Sequence, residues 1–125
     1  MDEQPEDNAA QMNRAMDPHL LEFIRLHANS FLKWDLMRFF HDNPHTVDTV
    51  ANIARYTGRD TRTVAPELQE LAESGVLDVD DVGDLIAYML TTDAAMRDLI
   101  GYFVAACEDR DFRVMAVYHV IQAKQ

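Results

Sequence analysis

Cysteine is almost absent from this sequence, which has a single one, Cys107, among its 125 residues. One cysteine cannot form a disulfide within the chain and cannot supply a multi-cysteine zinc site. The absence of cysteine pairs is typical of a reducing compartment, and we expect a cytoplasmic protein. Cys107 falls on the apolar stripe of a predicted helix, where its ordinary role is that of a small buried hydrophobic residue.

Long apolar runs are also missing. No stretch approaches the roughly 18 unbroken apolar residues that a membrane helix needs, and residues 1–7 carry four acids where a signal peptide carries bases. We therefore expect a soluble protein with no membrane partner. Residues 1–16 hold four acids against Arg14, a net charge of −3, without a cluster of large apolar side chains. This composition predicts a disordered acidic tail, followed by one domain over residues 17–125.

Basic residues are scarce, since 11 Lys and Arg stand against 22 Asp and Glu, a net charge of −11. Proteins that grip duplex DNA draw much of their affinity from Lys and Arg side chains that neutralise phosphates. An acidic body can still carry a local basic face, so the distribution of the charges matters more than their sum.

Motifs of catalysis and of metal binding are missing as well. His41 and His45 have a spacing of four, but Pro44 between them prevents both from lying on one helix. The sequence contains no phosphate-binding loop, nucleophile elbow or paired carboxylates. We expect no enzymatic activity, no metal and no cofactor, and we interpret the seven methionines as adaptable core or interface residues.

Helical periodicity is the strongest positive signal. Asp17 and Pro18 form a helix start that predicts a helix to about His27, because the carboxylate can cap free N–H groups and proline suits the first helical position. A second helix is predicted over residues 31–41, with Lys33 and Arg38 facing water. Further helices are predicted from Thr92 or Asp93 to about Cys107 and from Phe112 to Ile121. The last of these is apolar nearly all round, and its Val, Phe and Tyr content also suits a strand.

Two amphipathic stretches joined by a tight turn lie between Val47 and Gly75. Gly58 supplies the left-handed conformation that ends the first stretch, and Asp60 or Thr63 caps the second, which ends at Gly75. Apolar residues share one face in each stretch: Val50, Ile53 and Ala54 in the first, and Val64, Leu68 and Leu71 in the second.

After Gly75 the periodicity becomes that of strands. Residues 76–79 and 85–90 predict a short hairpin around a turn at residues 80–84. In residues 85–90 the side chains that point to one face of the strand and those that point to the other are all apolar. This predicts that both faces of the hairpin are covered. The predicted fold class is therefore mostly α with a small β-hairpin.

This succession resembles the winged helix-turn-helix domain of prokaryotic transcription regulators, with extra N- and C-terminal helices. The resemblance covers about residues 31–90 and rests on segment 50–58, on Thr63-Val64 and on segment 68–77. It implies a transcription regulator that binds double-stranded DNA. By position, the residues implied to face DNA are Arg55, Arg59, Thr61, Arg62, Thr63, Ala65, Pro66 and Gln69, with the hairpin as the wing.

Two features depart from this family. Residues 59–75 have a net charge of −2, and residues 76–92 carry four aspartates and no base, a net charge of −4 that would repel phosphate. Pro66 cannot make the contact with a base that a polar or basic side chain makes at this position. If Thr63 is the cap, Pro66 lies in the first helical turn, where proline is tolerated. Arg55, Arg59 and Arg62 are either a phosphate-contacting patch or solvated side chains paired with Asp60 and Glu67. The alternative function is therefore a winged-helix module that binds protein and has lost DNA binding.

Apolar residues in excess of a three-helix core suggest an oligomer. They lie in the helices that flank the helix-turn-helix, over residues 18–41 and 93–121. A homodimer built by these helices would cover them. The residues predicted for its interface are Trp34, Phe103, Phe112, Tyr118 and Ile121.

Overall fold

The structure is a computed structural model that describes residues 17–123. The acidic tail predicted for residues 1–16 lies outside the described residues. Helices dominate, and a small antiparallel sheet of three strands follows the order β1–β3–β2. The elements in chain order are α1 Pro18–His27, α2 Phe31–Asp42, β1 Val47–Thr49, α3 Val50–Tyr56, α4 Thr61–Glu73, β2 Leu77–Val82, β3 Leu85–Leu90, α5 Ala94–Ala106 and α6 Arg110–Ala123. The prediction of a mostly α fold with a hairpin is confirmed.

Capping side chains set where the helices begin. The Asp17 carboxylate accepts a hydrogen bond of 2.9 Å from the backbone N–H of His19, and Pro18 opens α1 as predicted. Asp93 caps α5 by accepting from the N–H of Met96 at 3.0 Å, which decides between Thr92 and Asp93. Residues 110–123 form a helix, so the strand alternative for this segment is wrong.

The sheet is larger than the sequence predicted. Val47, expected to open the helix-turn-helix, instead opens β1, where it pairs with Met89 of β3. A strand of three residues is too short to show periodicity, and it forms only because β3 supplies its hydrogen-bonding partner. Strand β2 pairs with β3 from Leu77 to Val82, so the turn predicted over residues 80–84 contracts to Gly83 and Asp84.

The hairpin is covered on one face and only near its base. Tyr88 and Leu90 of β3 are buried together with Leu77, whereas Leu85 and Ile86 at the tip are exposed. The prediction that both faces are covered is wrong for the tip, because the hairpin projects beyond the helices that bury its base.

One cluster of buried side chains joins the six helices of residues 17–123 and the base of the sheet. Phe103 of α5 lies at its aromatic centre, with ring centroids 5.2 Å from Phe23 of α1, 5.7 Å from Trp34 of α2 and 6.1 Å from Phe112 of α6. Four helices therefore meet on one ring. The largest fully buried side chains are Phe40, Phe103, Leu36, Met37, Ile53, Leu68, Leu71, Ile100, Val64 and Val76.

Gly58 ends α3 as predicted, with φ of +69°. The N–H of Arg59 then returns to the carbonyl oxygen of Ala54 at 2.8 Å, which reverses the chain toward α4. A residue with a Cβ is strained in this left-handed conformation.

Gly58→Ala should therefore lower the free energy of unfolding by about 1 kcal/mol. A Cβ at this position meets nothing within 4 Å, so the cost is conformational strain alone. Gly101→Ala is the matched control, because Gly101 lies inside α5 and a Cβ there makes only an ordinary contact of 3.5 Å with Cε1 of His41. That substitution should stabilise the protein by up to about 1 kcal/mol. Urea denaturation compares the two, and effects of the same sign would contradict the role of Gly58.

Candidate nucleic-acid interface

Helix α4 buries one face and exposes the other. Val64, Leu68 and Leu71 are fully buried against α2, α3 and β2, as the sequence predicted. The helical repeat then turns a second set of side chains outward. The exposed residues of α4 are Thr61, Arg62, Thr63, Pro66, Gln69, Glu70 and Glu73.

Asp60 is the cap of α4. Its carboxylate accepts from the backbone N–H of Arg62 at 3.1 Å, and its carbonyl oxygen accepts from the N–H of Thr63 at 3.0 Å. The helix therefore begins at Thr61, which decides against Thr63 as the cap. Pro66 becomes the sixth residue of α4 and not a first-turn residue, so the expectation for Pro66 is corrected. Because proline has no N–H, the carbonyl of Arg62 lacks its intrahelical donor.

The three arginines of the predicted basic cluster differ in their partners. Arg55 donates to Oδ1 of Asn52 at 2.9 Å and its guanidinium lies 5.8 Å from the centroid of the Tyr56 ring. Arg59 forms an ion pair with Asp35 of α2. Arg62 is exposed and forms no ion pair with any residue in 17–123. The predicted pairing of these arginines with Asp60 and Glu67 is therefore not formed.

Two of the three acids of α4 are engaged by α2. The Glu67 carboxylate accepts a hydrogen bond from the Ser30 hydroxyl, and Glu70 forms an ion pair with Lys33. Lys33 is only 5% exposed and also donates to Oδ1 of Asn29 at 2.7 Å. The prediction that Lys33 faces water is wrong, because its side chain is buried and its ammonium is compensated there by Glu70 and Asn29. Lys33 compensates the charge of Glu70, but Asp35 likewise offsets that of Arg59, so the net charge of −2 for residues 59–75 is unchanged when these two partners are included.

Asp48 is held at the junction of β1 and α3 by three donors. Its carboxylate accepts from Nδ2 of Asn52 at 2.7 Å, from the hydroxyl of Tyr56 at 2.8 Å and from the backbone N–H of Thr49 at 2.8 Å. The hydrogen bonds from Asn52 and Tyr56 lower the pKa of Asp48. This carboxylate therefore stays ionised at the start of α3, and the charge of Arg55 contributes to lowering its pKa.

The hairpin exposes both acidic and apolar side chains. Asp80, Asp81 and Asp84 are exposed, Asp78 is half-buried, and none of the four pairs with a base in residues 17–123. Beside them the aliphatic side chains of Val79, Leu85 and Ile86 are exposed.

The residues predicted for a dimer interface separate into three groups. Phe103 and Phe112 are 1% and 3% exposed within the chain's own core, which removes them from any surface offered to a partner. Trp34 is half-buried, and its indole N–H donates to the carbonyl of Ala28 at 2.6 Å. Tyr118 and Ile121 of α6 are exposed.

Cys107, His41 and His45 are the other residues considered for reactivity or metal binding. Cys107 is buried, and burial raises the pKa of its thiol to about 11, so the thiolate is scarce at neutral pH. His41 and His45 are exposed, and residues 17–123 contain no group of three His, Cys, Asp or Glu placed to hold a metal ion. No helix in that range has the length and apolar content to cross a membrane.

Pro66→Ala should stabilise the protein by about 1–2 kcal/mol. The alanine N–H restores the bond to the Arg62 carbonyl, which is worth more than the chain entropy that proline removes from the unfolded state. Pro44→Ala is the control, because Pro44 lies between α2 and β1 and interrupts no helix. A thermal unfolding midpoint that is lower for Pro66→Ala than for the wild type would contradict the placement of Pro66 inside α4.

No protein-family model, no curated protein and no solved structure matches this chain. The geometry of α4, the charges around it and the hairpin are therefore the features that bear on function.

Proposed function

We propose that this chain is a winged-helix transcription regulator that binds double-stranded DNA with α4 as its recognition helix. A helix, a helix, a tight turn at Gly58, a helix ending at Gly75 and a hairpin follow one another, as in winged helix-turn-helix domains. In this arrangement α4 enters the major groove and the β2–β3 hairpin is the wing. Proteins with the same fold serve different functions, so the surface of α4 has to support DNA binding independently.

The observation that carries the proposal is the outward face of α4 between Thr61 and Gln69. It presents the guanidinium of Arg62, which no acid within residues 17–123 pairs, while the one carboxylate in this stretch, that of Glu67, is half-buried and hydrogen-bonded to the Ser30 hydroxyl. A major groove about 12 Å wide admits one helix in this orientation. The side chains on this face are of the types that read base edges or contact phosphates.

Each predicted residue then has a role. Arg62 and Arg55 contact phosphates, and Arg59 joins them by leaving Asp35, since a pair this exposed adds little stability. Thr61 and Thr63 at the start of α4 contact phosphate or base edges. Gln69 has the amide that pairs with adenine, and to do so it leaves the carboxylate of Glu73, to which it donates at 3.3 Å. Pro66 contributes only apolar contact.

Arg59→Gln/Arg62→Gln should weaken DNA binding and lower its salt dependence. We expect the wild type to bind a fluorescein-labelled random-sequence duplex of about 30 base pairs in roughly 50 mM salt, with micromolar affinity by anisotropy. Each lost phosphate contact lowers the slope of log K against log salt by about 0.9, so the double variant should lose close to 2.

Arg25→Gln/Arg110→Gln is the control, because it makes the same change in charge on α1 and α6. Equal losses in both double variants would show a general charge effect and contradict the assignment of the face. A wild-type chain that does not bind duplex at low salt would overturn the proposal itself.

A second candidate is a winged-helix module that binds protein. The hairpin favours it, because Asp80, Asp81 and Asp84 repel phosphate, while Leu85 and Ile86 offer an apolar contact. Under this alternative the hairpin contacts a protein, and α4 serves only as part of the scaffold.

Asp80→Asn/Asp84→Asn separates the two candidates. If the hairpin approaches DNA as a wing, loss of two carboxylates should tighten duplex binding roughly 3- to 10-fold in about 50 mM salt and less in about 200 mM salt. Glu22→Gln/Asp98→Asn makes the same change in charge on α1 and α5 and should alter binding far less. An unchanged affinity would exclude the hairpin from the DNA contact. No binding by either the wild type or the hairpin variant would favour the protein-binding module.

A further inference from the structure

Helix α6 is apolar on two opposite sides. Phe112, Ala116 and Val120 point into the core and are buried. Val114, Tyr118 and Ile121 are 58%, 54% and 47% exposed. Their spacing of four and then three residues puts these three side chains on one stripe, which we call the outer stripe.

The outer stripe lies in a segment without charge. Residues 114–123 contain no Asp, Glu, Lys or Arg, in a chain of which 26% is charged. A helix that is apolar all round is normally a buried helix. Because the core covers only the inner side of α6, the outer stripe is suited to cover by another molecule.

The charges around the stripe restrict what covers it. A basic protein would be attracted to the acidic surfaces of this chain. The outer stripe contains no acidic side chain, so it does not favour a basic partner. An anionic membrane surface attracts helices with Lys and Arg beside their apolar face. Helix α6 has bases only at its start, where Arg110 and Arg113 stand beside Asp111, and the whole chain carries −11. Two copies of this chain repel each other least where both surfaces are uncharged.

The outer stripe can also pack against the outer stripe of a second chain. In an antiparallel pair of identical helices with the two-fold axis between Val117 and Tyr118, Val114 of each helix lies opposite Ile121 of the other. Both ends of the contact are then aliphatic, and Tyr118 covers the centre from both sides. Isologous contacts of this kind are the commonest in soluble oligomers.

We propose that the protein is a homodimer in which α6 packs antiparallel against α6 of a second copy through Val114, Tyr118 and Ile121. This contact retains Tyr118 and Ile121 from the interface predicted from the sequence, adds Val114 and excludes the buried Phe103 and Phe112. It does not depend on DNA binding and is measured without DNA.

Sedimentation equilibrium of the full chain tests the dimer. The wild type should be dimeric, and Val114→Glu and Ile121→Glu should each raise the dissociation constant by roughly 100-fold, because each places two carboxylates against apolar side chains per dimer. Leu85→Glu is the matched control, since Leu85 is 61% exposed on the hairpin, and its dimer should be unchanged. Circular dichroism should show the same helical content in all variants, because the substituted side chains are exposed.

A charge pair tests the antiparallel arrangement. Val114→Lys/Ile121→Glu places each ammonium opposite a carboxylate of the other copy, so dimerisation should recover most of what either glutamate variant loses. A wild type that stays monomeric up to about 100 µM would overturn the proposal, as would glutamate variants that dimerise like the wild type. A double variant as monomeric as Ile121→Glu would overturn the antiparallel pairing.

Discussion

The ion pair between Lys33 and Glu70 is the contact on which the exposed charges of α4 depend. An ammonium as buried as that of Lys33 requires an anionic or hydrogen-bonding partner, and Glu70 and Asn29 provide both. Together with the bond from Ser30 to Glu67, this pair joins α4 to the start of α2. Two carboxylates are thereby committed to α2, and Arg62 is left on the outward face.

Three exposed surfaces of the molecule differ in chemical type. The outward face of α4 is polar and carries Arg62 and Glu73, the hairpin is acidic with aliphatic side chains, and the outer stripe of α6 is apolar and uncharged. Each type suits a different partner, since phosphate, protein and a second copy of the chain are recognised by different chemistry. The proposed dimer and the proposed DNA contact use separate faces, so one chain can support both. A two-fold symmetric dimer of DNA-binding modules matches operators with two half-sites.

Helix ends, turns and apolar faces were predictable because their signals are local. Asp17-Pro18 opens α1, Gly58 and Gly75 end α3 and α4, and Val64, Leu68 and Leu71 are buried as their spacing indicates. Each of these features depends on backbone conformation or on side chains within a few residues of one another. The resemblance to a winged helix drew on the same local signals, which describe a scaffold better than an activity.

Local signals along the chain are therefore sufficient to predict the helices, the tight turn, the hairpin and the excess of acid. Features that depend on partners far along the chain follow only from its folding. Lys33 is 37 residues from Glu70, and β1 exists only because β3 pairs with it. The same is true of Phe103 and Phe112, whose apolar character fits a core or an interface equally well until the packing of four helices buries them. Composition counts charges and apolar residues, whereas only the folded chain determines which of them are compensated, which are covered and which remain exposed to a partner.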